Sequence, residues 1–336
     1  MSIIRYTPVQ DAFIVNGSVG QTINTGLDEI LQLGHCSGIE AEGPARALLD
    51  FGLKEVPANV YKATLHLYLA NASDLPLPEY TIRVYPVAES WQEGYGKYSD
   101  SRTENKGNVG VTWNYRNYSQ DTWSIPGGDV TENQPYVSQS FSRLSSKDLD
   151  IDITQLFREK NCSNGFILAF GNEEEVMSLG SSLSFYSEDT HTIYRPYLQL
   201  EFNDSEHSSN LPVVTTEQIS IVTEGFKPEY TVSDSARFNL RVCPKYPSRV
   251  YTTSSIYSNS YILPDESYWG IRNEYTNEMV IDFCEGTKIS ADNLGNYFNL
   301  DMGMLETGRY YRVLYQVNLD SNKRITFDNR NIFKVV

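Results

Sequence analysis

Ala63-Thr64-Leu65-His66-Leu67-Tyr68-Leu69 sets Leu65, Leu67 and Leu69 on one face of an extended chain and Thr64, His66 and Tyr68 on the other. A period of two marks a strand with one buried face, because successive side chains point to opposite sides of a sheet. Comparable runs occur at 47–51, 81–87, 166–170, 183–186 and 197–202, separated by turn formers such as Pro126-Gly127-Gly128 and Asn164-Gly165. One short helix is predicted after Thr154, whose hydroxyl is placed to cap the segment from Gln155 to Glu159. Short strands with almost no helix bury their faces by packing sheet on sheet, so an all-β chain opening with a jelly-roll-like β-sandwich is predicted.

The pattern continues at 236–243, 278–283, 296–300, 310–319 and 331–336, which with flanking runs makes about seven strands and predicts a smaller immunoglobulin-like β-sandwich. Gly308-Arg309-Tyr310-Tyr311 opens the longest of these runs and predicts a corner tyrosine bonding back to the preceding turn. Between the halves, Asn203 to Pro212 is polar and Ser-rich, the composition of a linker. The predicted organisation is therefore a first domain over 1–204, a linker over 205–216 and a second domain over 217–336, which suits two cores in 336 residues.

Charge narrows the partners. The net charge is −16, and 27 acidic against 14 basic side chains lie before residue 205. A phosphate backbone would be repelled by that field, so nucleic acid is not an expected partner. No stretch approaches the roughly 18 apolar residues of a bilayer helix, so no membrane association is expected. Met1 to Pro8 shows no basic segment leading into an apolar run, so no secretory signal is read. Cys36, Cys162, Cys243 and Cys284 are far apart and form no C-x-x-C pair, which predicts buried reduced thiols.

Several short motifs then fall in a recognisable order. Asp11-Ala12-Phe13-Ile14-Val15 precedes Asn24-Thr25-Gly26, Arg46-Ala47-Leu48-Leu49-Asp50-Phe51 and Val84-Tyr85-Pro86-Val87. Glu89-Ser90-Trp91, Val111-Thr112-Trp113-Asn114 and Trp123-Ser124-Ile125-Pro126-Gly127-Gly128-Asp129 follow. Asp152-Ile153-Thr154, Asn164-Gly165-Phe166, Tyr186-Ser187-Glu188 and Arg195-Pro196-Tyr197 close the series. In this order, over nearly all of 9–203, the first domain resembles the DNRLRE domain family. These are sandwich modules compared with carbohydrate-binding modules and found in extracellular and surface proteins. The second domain is similar to terminal sandwich domains of tailed-phage virion proteins, through Gly308-Arg309-Tyr310-Tyr311-Arg312-Val313 and Phe327-Asp328-Asn329. A surface module without an export signal suits a protein assembled in a host cytoplasm and released by lysis, so localisation in a virion is expected.

Enzymatic motifs are missing: there is no H-E-x-x-H, G-x-S-x-G, G-x-x-x-x-G-K-[ST] or G-x-G-x-x-G. Glu89 with Glu93, or Glu188 with Asp189, would supply the two carboxylates of a glycosidase, but so acidic a domain produces such pairs by chance. Sandwich modules of this appearance often carry structural calcium, for which Asp11, Asp28, Glu40, Asp129 and Asp189 are candidate ligands. The plainer reading has Asp129 and Asp152 holding their own turns. Trp91, Trp113 and Trp123 with Tyr95, Tyr98, Tyr115 and Tyr118 form the densest aromatic stretch, a candidate contact for carbohydrate or protein. The Trp residues lie inside the family motifs, where bracing a core or loop is the plainer role; the Tyr residues lie in or beside a lengthened connection from Tyr95 to Gly110. Glu173-Glu174-Glu175 is read as a solvated turn, and Arg46 as half of a buried ion pair.

The expected function is a non-enzymatic structural component of a tailed-phage virion, an accessory head, neck or tail protein. It would contact other virion proteins as a homo-oligomer or symmetric array. A carbohydrate-binding adhesin or host-recognition module is the alternative, and a glycan-active enzyme ranks last.

Overall fold

The computed structural model describes residues 2–17, 22–37, 42–53, 60–71, 79–98, 110–131, 133–142, 148–159, 162–202, 209–246, 261–320 and 323–336. The chain forms two compact units, one of residues 6–57 and 62–199, the other of 1–5, 58–61 and 200–336.

Strands dominate both. The order begins β1 (Ser2–Tyr6), β2 (Gln10–Val15), β3 (Ile30–Ser37), β4 (Glu42–Asp50), β5 (Val60–Leu67), β6 (Leu69–Asn71) and β7 (Tyr80–Pro86). Next come β8 (Tyr115–Asn117), β9 (Asp121–Thr122), β10 (Val137–Phe141), β11 (Leu149–Asp152), α1 (Thr154–Glu159), β12 (Phe166–Phe170), α2 (Glu173–Ser178), β13 (Ser182–Tyr186) and β14 (Tyr197–Phe202). The remainder is β15 (Ile219–Glu224), β16 (Glu229–Tyr230), β17 (Ser235–Pro244), β18 (Ser267–Asn273), β19 (Met279–Ile281), β20 (Ser290–Asp292), β21 (Gly295–Asp301), β22 (Tyr310–Asp320) and β23 (Lys323–Val335). The protein is all-β, as its alternating pattern predicts.

In the first unit a large antiparallel sheet runs β10-β7-β12-β4-β3-β13-β6, with β2 added to β4. Consecutive residues of β2 and β12 are buried, so both faces of this sheet are covered, which explains why these runs do not alternate. On one face Ala12, Ile14, Leu48, Ile167 and Ala169 pack with Tyr85, Val87, Val111 and the three indoles of Trp91, Trp113 and Trp123. Residues 88–98 and 110–131 are thus held to the sheet by their own tryptophans. In a second sheet β5 lies between β11 and β14, burying Leu65 and Leu67 as expected, but β5 ends at Leu67 and β6 joins the large sheet. The turn before β12 needs Gly165, whose φ is +82°; a Cβ there would sit 2.0 Å from the Leu49 carbonyl.

The other unit has sheets ordered β15-β17-β21-β20 and β16-β23-β22-β18-β19. Its core stacks Phe298 between Phe238 and Trp269, with centroids 4.9 Å away on each side. The expected linker differs in part: Val214 is buried in this core and donates its amide to the Ile262 carbonyl, while 203–208 lie outside the described residues. The helix expected after Thr154 is α1, with a correction at its start. The Thr154 hydroxyl accepts the Ala63 amide and donates to Asp152, whose carboxylate also takes the Thr154 amide, so Thr154 anchors a neighbouring strand instead of capping.

Candidate functional site

Asp11 lies near the start of β2, opposite Leu49 of β4, and is 1% exposed. Its backbone amide donates to Glu93 Oε1 at 2.8 Å, and its Oδ2 accepts the Glu188 amide at 2.6 Å. Carboxylate oxygens of Asp11, Glu93 and Asp189 lie within 4.8 Å of one another. Three segments far apart in sequence therefore deliver one acidic cluster at the end of a strand.

The motif Asn24-Thr25-Gly26 holds that geometry. Asn24 Nδ2 donates to the carbonyls of Glu93 at 2.5 Å and Val111 at 2.9 Å, while its Oδ1 accepts the Gly96 amide at 2.7 Å. The Thr25 hydroxyl accepts the Phe13 amide and donates to the Phe13 carbonyl, tying the motif to β2. Gly26 is required by contact: a Cβ there would approach the Glu93 carbonyl oxygen to 2.5 Å. Asp28 closes the other side, where its Oδ2 accepts the Tyr98 amide and its carbonyl accepts the Ser187 hydroxyl.

Burial, with the charges of Glu93, Asp189 and Glu188 adding to it, raises the Asp11 carboxyl from 3.8 to about 8 against the opposing Glu188 amide. Burial likewise raises Glu93, and raises Glu188 despite the nearby Arg195 guanidinium. Carboxylates crowded this way repel one another unless a proton or a cation sits among them. All three donors are hard oxygens, a set that suits calcium or magnesium and not a soft transition metal.

Of the expected calcium ligands, Asp11 and Asp189 meet here, joined by Glu93, for which the sequence suggests only the role of a glycosidase acid. Its expected partner Glu89 is elsewhere, accepting the Ser124 amide and lying 3.7 Å from Arg116. Asp28 and Asp129 do not join this cluster. The Asp28 carboxylate is engaged by Tyr98, and Asp129 closes its own turn by accepting from Thr131 and Gln134. Glu40 lies outside the described residues.

The aromatic candidates divide. Trp91, Trp113 and Trp123 are buried; Trp91 Nε1 donates to the Asn164 carbonyl and Trp123 Nε1 to the Thr112 carbonyl, so as contact residues all three are corrected to braces. Arg46 lies over the Trp113 ring at 4.6 Å, makes two 2.7 Å bonds to the Glu173 carboxylate and donates to the Gly127 carbonyl. Arg46 is thus the ion pair expected of it. Glu173-Glu174-Glu175 is corrected from a solvated turn to the first turn of α2, where acidic side chains suit the helix N-terminus. Tyr98 packs on Phe13 and its hydroxyl accepts from Cys36 Sγ, Tyr115 and Tyr118 are half-buried edge to face, and Tyr95 is 80% exposed. Most of the connection after Tyr95 lies outside the described residues. All four cysteines are free thiols. Among the described residues no helix is long and apolar enough to cross a membrane.

Fold and site define an all-β protein of packed antiparallel sheets with an oxygen-only acidic cluster at a strand end. No family model matches the chain, and no curated protein matches it.

Proposed function

We propose that the protein is a non-enzymatic structural component of a tailed-phage virion, an accessory head, neck or tail protein that works through protein contacts in a symmetric array. In this reading the first unit is a jelly-roll-like sandwich and the second an immunoglobulin-like one. The supporting observation is the use of the polar groups in the first unit. Asn24, Thr25, Arg46, Glu173 and the indole nitrogens of Trp91 and Trp123 bond backbone or one another, fastening long connections to the large sheet. A fold fastened in this way is suited to holding a shape under load.

The acidic cluster fits the same role. Asp11, Glu93 and Asp189 would hold a calcium ion, which would cancel their repulsion and join β2 to two connecting segments. Quantitative mass spectrometry of purified virions tests the assignment. A fixed ratio of this chain to the major capsid protein is expected, and its absence from intact particles would refute the proposal.

A further inference from the structure

One side of β23 is an open strand edge. Its ladder to β22 runs from Lys323 to Lys334, whereas on the other side β16 pairs only with Lys334 and Val335. Among the described residues, no strand pairs with 323–329 along that side. Arg330 ends the stretch. Its φ is +56°, its amide turns to Asp328 Oδ1, and the register to β22 shifts there, the signs of a bulge.

The two faces of this stretch differ. Lys323, Phe327 and Asn329 lie on the core side: Lys323 Nζ bonds Glu217 Oε2 at 2.6 Å, Phe327 packs on the core of its unit, and Asn329 Nδ2 donates to the Ile221 carbonyl. Arg324, Thr326 and Asp328 alternate with them and are exposed. Asp328 accepts from Arg312 at 2.9 Å and from Arg272 at 3.3 Å, yet its side chain stays 35% exposed. Arg324 makes no ion pair among the described residues.

We infer that this edge pairs with the same edge of a second copy of the chain, antiparallel, about a two-fold axis at Thr326. In that register Thr326 faces Thr326, Ile325 faces Phe327, and Arg324 of each copy faces the other copy's Asp328. The segment is thus its own complement, which an isologous contact requires. Other registers fail: an axis at Phe327 would set Arg324 against Arg330, and a slip of one residue would turn the polar face of one copy to the core side of the other. Backbone hydrogen bonds along the edge supply the attraction and the cross-strand pairs fix the register. Two five-stranded sheets would then continue as one. The inference rests on the proposed reading of the protein as a particle component working through protein contacts, and it names one of those contacts.

Sedimentation velocity of the full chain, over a dilution series in the micromolar range, should show a monomer–dimer equilibrium. Arg324→Asp turns both charge pairs repulsive and should raise the dimer Kd by about tenfold. Thr326→Cys puts a thiol on the axis and should form a disulfide-linked dimer under copper-phenanthroline oxidation, a readout that stands even if Arg324→Asp fails to fold. Leu294→Cys, at a position 87% exposed in the turn before β21, should stay unlinked like the wild type. A monomer at every concentration, an equal Kd for wild type and a folded Arg324→Asp, or linking of Thr326→Cys no faster than that of Leu294→Cys would overturn the inference. A monomer would leave the virion assignment standing, because that is read from particle composition, and absence from virions would leave the dimer standing.

Discussion

The hydroxyl of Tyr311 holds both backbone groups of Glu306: it accepts the Glu306 amide at 2.9 Å and donates to the Glu306 carbonyl at 3.2 Å. The ring is 2% exposed, and burial pushes its phenol up to about 12. This is the corner tyrosine that Gly308-Arg309-Tyr310-Tyr311 announces, and it closes the turn that leads into β22.

Tyr311→Phe keeps the ring and deletes both bonds. Leaving an amide and a carbonyl without their partner costs about 1–3 kcal/mol. Urea denaturation of the two proteins should show a lower midpoint with an unchanged slope. An unchanged midpoint would mean that water replaces the hydroxyl at no cost.

Arg46 joins α2, the Gly127 turn and the Trp113 ring through one guanidinium. Arg46→Ala leaves the half-buried Glu173 carboxylate without its cation and should destabilise by about 3 kcal/mol. Arg46→Lys should rescue only part of this, because an ammonium cannot reproduce the two-pronged contact. Chemical denaturation followed by tryptophan fluorescence reads both effects.

Stability against pH isolates Asp11. Its carboxyl titrates at about 8 in the folded chain against 3.8 ordinarily, so between those values the folded state keeps a proton that the unfolded state releases. The contribution of this group is full below pH 3.8 and is lost as pH rises through about 8. In metal-free buffer the wild type should therefore lose stability relative to Asp11→Asn as pH is raised from about 5 to about 9. Denaturant midpoints measured across that range check the difference; a constant gap would contradict the Asp11 assignment.

Local pattern carried the fold well where one face of a strand meets solvent. Leu65 and Leu67 alternate and point inward, and Tyr311 follows its glycine turn. It was silent where contacts are assembled from distant segments. Nothing near Glu93 marks it as a companion of Asp11 and Asp189; strand pairing and the Asn24 bonds bring them together. The rings of the Trp stretch are close in sequence and therefore legible there, yet they are buried, whereas Tyr68, Tyr186, Tyr194 and Tyr197 meet only after β5, β13 and β14 are in place. Glu173 looked solvated because its partner Arg46 is more than a hundred residues away, the bond spanning 127 positions.

In the proposed reading, the clustered acids of the first unit tie β2 to two connecting segments through a divalent cation. Thermal unfolding in calcium and in EDTA, for wild type and Asp11→Asn, tests it most directly. Saturating calcium at about a hundredfold above Kd should stabilise the wild type by about 2.7 kcal/mol, raising its midpoint over that in EDTA, and should do nothing for Asp11→Asn. Equal wild-type midpoints in calcium and in EDTA would contradict the claim.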